Sequence, residues 1–320
     1  MKRVLMVGAA LALLAAVSGC GGGGGAPSSA SRLNPLIATI PVGINPYRLA
    51  ANAITNRIYV ANRSANTVSV IDGASNAVIA TVGVGAGPAG VDVNPTTNRI
   101  YVADMFTTNV SVIDGASNAL IATVAVGVTP FAVAVNSTTN RIYVTNHGDN
   151  SVSVIDGVGN SVIATVPVGL TPDGVAVNPA TNRIYVIDAA NTVSVIDGAT
   201  NAVSAAVPTS GVLYSVAANP ATNRIYAGGS VIDGGTNSVI AMLSVVPVGV
   251  AANPATNRIY VANTAGSLSV VNGSTNALIA TLGLGGGDPV AVAVNATTNR
   301  VYVANYAANT VSVIDGRRFG

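Results

Sequence analysis

From Leu36 onward, apolar runs of four to seven residues alternate with short polar interruptions. A unit such as 172–197 reads Pro172-Asp-Gly-Val-Ala-Val-Asn178-Pro, a turn, Asn182-Arg-Ile-Tyr-Val, a turn, then Thr192-Val-Ser-Val-Ile-Asp197-Gly, with a further apolar run after it. The runs are rich in Val, Ile, Ala, Thr and Tyr and are bounded by Asn, Pro, Gly or Asp, which is how strands and tight turns are written. β-Branched residues lose rotamer freedom in a helix, and the punctuation comes too often for a helix of useful length. Runs such as Val-Ser-Val-Ile are apolar on both faces, as suits sheets packed face to face.

The same phrase, Asn-Arg, then Ile or Val, then Tyr, opens at Asn56, Asn98, Asn140, Asn182, Asn223, Asn257 and Asn299, at intervals of 42, 42, 42, 41, 34 and 42 residues. Self-similarity at that period marks a repeat architecture whose units bury their faces against their neighbours. Four short strands in each of seven units predict an all-β, seven-bladed β-propeller of four-stranded antiparallel blades. The last unit stops at Val313-Ile-Asp315-Gly and lacks its fourth strand. Residues 34–43, Asn-Pro-Leu-Ile-Ala-Thr-Ile-Pro-Val-Gly, match Asn160-Ser-Val-Ile-Ala-Thr-Val-Pro-Val-Gly169 and supply it, so the N-terminal strand is expected to complete the last blade and close the ring. Blade five is cropped: about six residues of its second hairpin are missing between Tyr226 and Val231 by comparison with blade four.

The Asn-Arg-Ile-Tyr-Val-Ala-Asn, Thr-Val-Ser-Val-Ile-Asp and Val-Ile-Ala-Thr-Val-Pro-Val-Gly segments resemble the YVTN-family β-propeller repeat, and Tyr143-Val-Thr-Asn146 spells the eponymous tetrapeptide. The resemblance covers about residues 34–316. It implies a propeller of exported or surface proteins thought to bind partners, and it implies no common reaction and no shared catalytic residues.

The amino terminus adds an address. Lys2 and Arg3 precede an apolar run from Val4 to Val17 that is short for a bilayer span, the layout of a secretory signal peptide. Its end, Val17-Ser18-Gly19-Cys20, resembles the bacterial lipobox, and Cys20 is the only cysteine of the chain, so a lipid anchor rather than a disulfide is expected. The expected organisation is a lipoprotein signal peptide at 1–19, a lipidated Cys20 with a Gly/Ser-rich tether at 20–33, the propeller at 34–316 and a tail at 317–320. Gly21 after the cysteine favours the outer membrane or cell surface over inner-membrane retention.

Past the signal peptide the chain has twelve Arg, twelve Asp, no Lys and no Glu, so it is close to neutral and lacks the basic footprint of a nucleic-acid binder. Most of these charges recur blade by blade. Arg57 and Asp72 are expected opposite each other across one hairpin, and Arg99 with Asp114, Arg141 with Asp156, Arg183 with Asp197, Arg224 with Asp233 and Arg300 with Asp315 repeat the pairing as a fold element. The Asn-Pro-x-Thr-Asn stretches are expected to be local turn chemistry.

Subtracting the repeat leaves a few singular residues, all in second hairpins or inter-blade links, which emerge on one face of the ring. Tyr47, Arg48, Asp104, Phe106, Phe131, His147, Asp149, Asp173, Asp288 and Tyr306 are the candidate binding face, with Arg63 and Asp188 in the same class of loop. Asp92 replaces an Ala found at the matching place of every other blade, on the innermost strand; it is expected either to meet channel water or a cation or to be paired locally.

The expectation is a lipid-anchored envelope module that binds a protein or glycan through the upper loops, without cofactor, metal or catalytic residues. A structural coat or spacer protein is the alternative, favoured by the uniformity of the blades. An enzyme such as a channel-sited hydrolase or lactonase is weakly supported: the chain has one His, no Cys but Cys20, no Glu and only Lys2. His147 in a Ser-His-Asp arrangement lacks a Gly-x-Ser-x-Gly elbow, and Asp92 and Asp288 remain as the acid–base option.

Overall fold

The computed structural model describes residues 34–211, 213–245 and 247–319. The expected signal peptide, Cys20 and the tether lie outside the described residues. Twenty-eight strands, β1 to β28 in chain order, form seven four-stranded antiparallel sheets. In blade one, β2 (Pro46–Asn52) is innermost, followed outward by β3 (Arg57–Asn62), β4 (Thr67–Asp72) and β5 (Ala77–Gly83). Six blades are built from consecutive strands, and the last is not: β26 (Pro289–Asn295), β27 (Arg300–Asn305) and β28 (Thr310–Asp315) are completed by β1 (Leu36–Pro41). Thr39 pairs with Ser312 and Ile40 with Val311, so the expected closure by the N-terminal segment is present. The cropped blade is present too: Arg224–Ala227 and Ser230–Asp233 are joined only by Gly228 and Gly229, with Gly228 in the left-handed region (φ 54°).

Seven buried clusters form the core, each joining one blade to the next. Between blades one and two, Tyr59, Val68 and Val70 face Val91, Val93, Ile100 and Val102. The second and third strands of each blade are therefore apolar on both sides because both sides are interior, whereas the outermost strands, such as β5, are apolar and largely exposed.

Each member of the repeated phrase has a task in this packing. The Asn occupies the left-handed region in every blade, from Asn56 (φ 53°) to Asn299 (φ 51°), a conformation Asn tolerates better than other side chains bearing a Cβ. Its carbonyl accepts from the Gly of the following Asp-Gly turn, as in Gly73 N to Asn56 O at 2.8 Å. A Cβ on Gly73 would lie 2.7 Å from that carbonyl, which fixes glycine there. The Tyr is fully buried, and Tyr226 sends its hydroxyl toward the Gly273 carbonyl of the next blade at a long 3.5 Å.

The Arg departs from expectation. Arg57 and Asp72 are register partners as predicted, yet none of the six predicted Arg–Asp pairs closes as an ion pair among the described residues. In six of the seven blades the guanidinium instead reaches the Gly carbonyl of the next blade's Asp-Gly or Asn-Gly turn: Arg99 to Gly157 at 2.7 Å, Arg141 to Gly198 at 2.8 Å, Arg258 to Gly316 at 2.8 Å, and Arg57, Arg224 and Arg300 likewise. The Asp caps its own turn, Asp72 Oδ1 accepting from Ser75 N at 2.7 Å and Ala74 N at 3.1 Å. A buried carbonyl needs a donor, whereas an exposed ion pair gains little, and the side chain goes where the need is larger.

The Asn-Pro-x-Thr-Asn turns also do more than turn. The Asn ending each innermost strand accepts from its own turn, as Asn52 Oδ1 does from Ile54 N and Thr55 N, and its Nδ2 donates to the left-handed Asn of the next blade. Seven such bonds of 2.7–3.0 Å circle the lower face.

Each outermost strand carries a register shift against its neighbour in all seven blades. The extra residue is Ile37, Ile79, Ile121, Ile163, Ser204, Ile240 or Ile279. Such bulges twist a free edge away from flat pairing with another chain.

At the other terminus, Gly316–Arg318 form one 3₁₀ turn and Phe319, 6% exposed, packs on Tyr260 with ring centroids 6.4 Å apart. Arg317 clamps Asp315 through Nε and Nη2 at 2.8 and 2.9 Å. Phe319 thereby fills the seam between the last two blades.

Candidate functional site

Innermost strands begin at the upper face, so their first residues ring the mouth of the central channel. Three of these seven places hold small or aliphatic residues, Ala89, Val248 and Val290, and the other four hold Tyr47, Phe131, Asp173 and Tyr214. The second hairpins add Arg63, Phe106, His147 and Tyr306 from just outside. Seven of the ten tyrosines are the buried repeat residues, and the other three, Tyr47, Tyr214 and Tyr306, all lie on this face.

The singular side chains make one continuous cluster. The Tyr47 ring meets Phe131 edge-on at 5.8 Å and Tyr306 at 6.2 Å, and Phe131 lies 5.9 Å from the His147 imidazole. Arg48 places its guanidinium carbon 5.7 Å from the Phe131 centroid and 5.9 Å from that of Tyr47. Arg63 lies 5.2 Å from Tyr47 and 5.6 Å from Phe106, which is itself 67% exposed. His147 Nε2 stands 3.4 Å from Asp173 Oδ1. Burial pushes the Asp173 carboxyl above its ordinary range, with His147 and then Arg48 drawing it back. Part of the cluster, Tyr47, Arg48, Phe131 and Asp173, lines a cavity of about 90 Å³ at the mouth together with Tyr214, Val248 and Val290. Below it the channel is walled by Leu49, Val91, Val133, Val216 and Val250, with Arg48 at the junction.

Seven of the predicted face residues are therefore brought together: Tyr47, Arg48, Phe106, Phe131, His147, Asp173 and Tyr306. Three are not. Asp104 is fully buried inside blade two, its Oδ2 accepting from Ser111 Oγ at 2.7 Å, where Asn62 and Asn146 bond the matching serines. It fills an internal polar slot, and burial pushes its carboxyl up to about 6. Asp149 accepts from Val128 N at 2.6 Å on the outer flank of blade three. Asp288 is exposed in a left-handed link (φ 60°), where its carbonyl takes the Tyr306 amide.

Asp92 is paired locally. Its two oxygens accept from Val93 N and, across the blade boundary, from Val135 N, each at 2.8 Å. Burial pushes it up to about 6 against the pull of those amides. It is a bridge between two innermost strands, and among the described residues no three acidic, His or Cys side chains gather as a metal-ligand set. Tyr214 escaped the sequence reading, although it holds the same place in blade five as Tyr47 and Phe131 hold in theirs; Leu213 stands before it where those blades have Pro46 and Pro130.

A family model described as a YNCE-like beta-propeller matches residues 37–141, about the first third of the chain. The fold is shared with 1805 solved chains, too many for it to indicate a chemistry. One of them, described as Kuenenia stuttgartiensis Hydrazine Synthase, superposes with a TM-score of 0.77 at 19% identity, over 91% of this chain and 99% of that one. At that identity the likeness is one of fold. A comparison with curated proteins found no match.

Proposed function

This chain is a β-propeller of the YVTN/YNCE-like type, and we propose that it is a binding module, tethered to the cell envelope through a lipid on Cys20, that engages its partner with the upper face. One observation carries the reading: the non-repeat aromatics Tyr47, Phe106, Phe131, Tyr214 and Tyr306, the only His and two non-repeat Arg lie together around one channel mouth, while the lower face is a seven-fold repeat. Aromatic rings with Arg among them are the composition of binding hot spots, and a rigid ring lowers the ordering cost of association. A coat built by edge-to-edge pairing fits less well, since every outer strand is bulged.

The test uses the full-length chain with isolated envelope fractions. Replacing Phe106, His147 and Tyr306 by Ala should weaken retention about 10-fold or more, whereas lower-face Asp114→Asn should leave it unchanged. Equal retention by both variants would remove the reading. Cys20→Ala should move the protein from the membrane to the soluble fraction.

A further inference from the structure

Arg48 is unusual among the arginines of this ring. Six of the seven repeat arginines spend a donor on the next blade's carbonyl, and Arg317 is clamped to Asp315. The Arg48 guanidinium makes no hydrogen bond among the described residues and, alone among the described arginines, has a buried Nε without a partner. Its nearest acid, Asp173, lines the same cavity beyond ion-pair distance and is taken up by His147. A partly buried guanidinium with unused donors, flanked by rings, is prepared for an acceptor from outside the chain.

The shape and charge of the cavity restrict that acceptor. At about 90 Å³ it admits a small group and not a whole sugar or side chain of large size. Asp173 on its wall repels a dianion such as phosphate and calls for hydroxyl donors. Around the rim, Tyr47, Phe131 and Tyr214 offer apolar ring surface, the two tyrosines with polar tips. A ligand with one negative charge, several hydroxyls and an apolar C–H face meets all three conditions. We propose that the channel mouth binds the terminal uronate of an acidic glycan, its carboxylate held bidentate by Arg48, its hydroxyls donating to Asp173 and its ring packed on the rim aromatics. This rests on the upper face being the binding face and narrows its partner to a carbohydrate.

Because His147 is the only histidine and stands beside Asp173, its imidazole gives a single reporter signal in NMR. Free glucuronate, its methyl ester, glucose, inorganic phosphate and a short peptide with a free C-terminus are titrated into the full-length chain in detergent. Glucuronate should shift the His147 signal saturably, and the uncharged methyl ester and glucose should not. Arg48→Met should weaken glucuronate about 10-fold or more, and Arg48→Lys should restore part of that loss, since an ammonium keeps the charge and not the fork. An unchanged melting temperature and His147 signal in Arg48→Met identify a folded variant; if it does not fold, the ester comparison alone decides. Equal binding of acid and ester, tighter binding of phosphate, or saturation by the peptide alone overturns the proposal. Failure of glucuronate to bind while envelope material is still retained by the upper face overturns it and leaves the binding-module reading standing; loss of both removes both.

Discussion

The Nδ2 of Asn295, at the end of the last blade's innermost strand, donates to Oδ1 of Asn56 in the first blade at 2.9 Å. The two residues are 239 positions apart, yet the bond repeats the one Asn136 makes to Asn182 at 2.8 Å within the continuous chain. The interface between last and first blades is thus fastened as the other interfaces are, and β1 gives the last blade the outermost strand that β5 gives the first.

Asn295→Asp keeps the oxygen that accepts from Thr297 N and Thr298 N but deletes the donor to Asn56. The expected loss in urea unfolding is about 1–3 kcal/mol, from an acceptor left unsatisfied and set against an acid. Asn136→Asp should cost the same within about 0.5 kcal/mol. A much smaller cost for Asn295→Asp would mean that the seam is held by β1 alone.

Removing residues 34–43 strips β1 from β28, exposing Val311 and Val313 and deleting buried Ile40. A lower melting temperature and concentration-dependent self-association are expected in sedimentation, because an unpaired, unbulged edge is left. A monomer with an unchanged melt would contradict the role given to β1.

Asp104 sits where Asn62 and Asn146 sit in other blades, and burial raises its folded carboxyl to about 6 against about 3.9 unfolded. The folded state therefore holds the proton more tightly, so the stability tied to this group is present below about pH 4 and is lost as pH rises through about 6. Asp92, raised to about 6 in the same way, adds a second contribution of the same sign. Asp104→Asn should stabilise by about 1–3 kcal/mol at pH 7.5 and flatten the fall between pH 4 and 7 without abolishing it. A variant less stable than the parent at pH 7.5 would refute this.

Arg141 and Asp156 are register partners that do not bond; Arg141 is spent on Gly198. In a double-mutant cycle with Arg141→Met and Asp156→Asn the coupling should stay below about 0.5 kcal/mol, while Arg141→Met alone costs about 1.5–3 kcal/mol from the lost charge-assisted bond. Coupling above 1 kcal/mol would restore the predicted charge pair.

The strands, the blade count, the closure by β1 and the cropped fifth blade were legible in the chain because each is a matter of period, and period survives in one dimension. What the repeated Arg and Asn bond to was not. Arg57 and Asp72 face each other in the hairpin, and only the arrival of the next blade, bringing the Gly115 carbonyl, draws the guanidinium away. The site divides in the same manner. Tyr47, Phe131 and Tyr306 stood out by interrupting the repeat, and so did Asp104, but an interruption does not say which way a side chain points. Asp104 ends strand β7 (Arg99–Asp104), and there the pleat turns it into the blade. Tyr214 was overlooked because Leu213 replaces the Pro that marks the start of the innermost strand at Pro46, Pro88 and Pro130.

The asparagine bond has the same partners and the same direction at each of the seven junctions, always from an innermost strand to the turn of the blade that follows. A joint of that kind does not record which two blades it joins. Replacing one blade by a copy of another in the same orientation leaves the joints intact and changes only the loops displayed above them. The natural unit of variation in this molecule is therefore a whole blade, and exchanging blades is a way to rewrite the upper face while the ring stays closed.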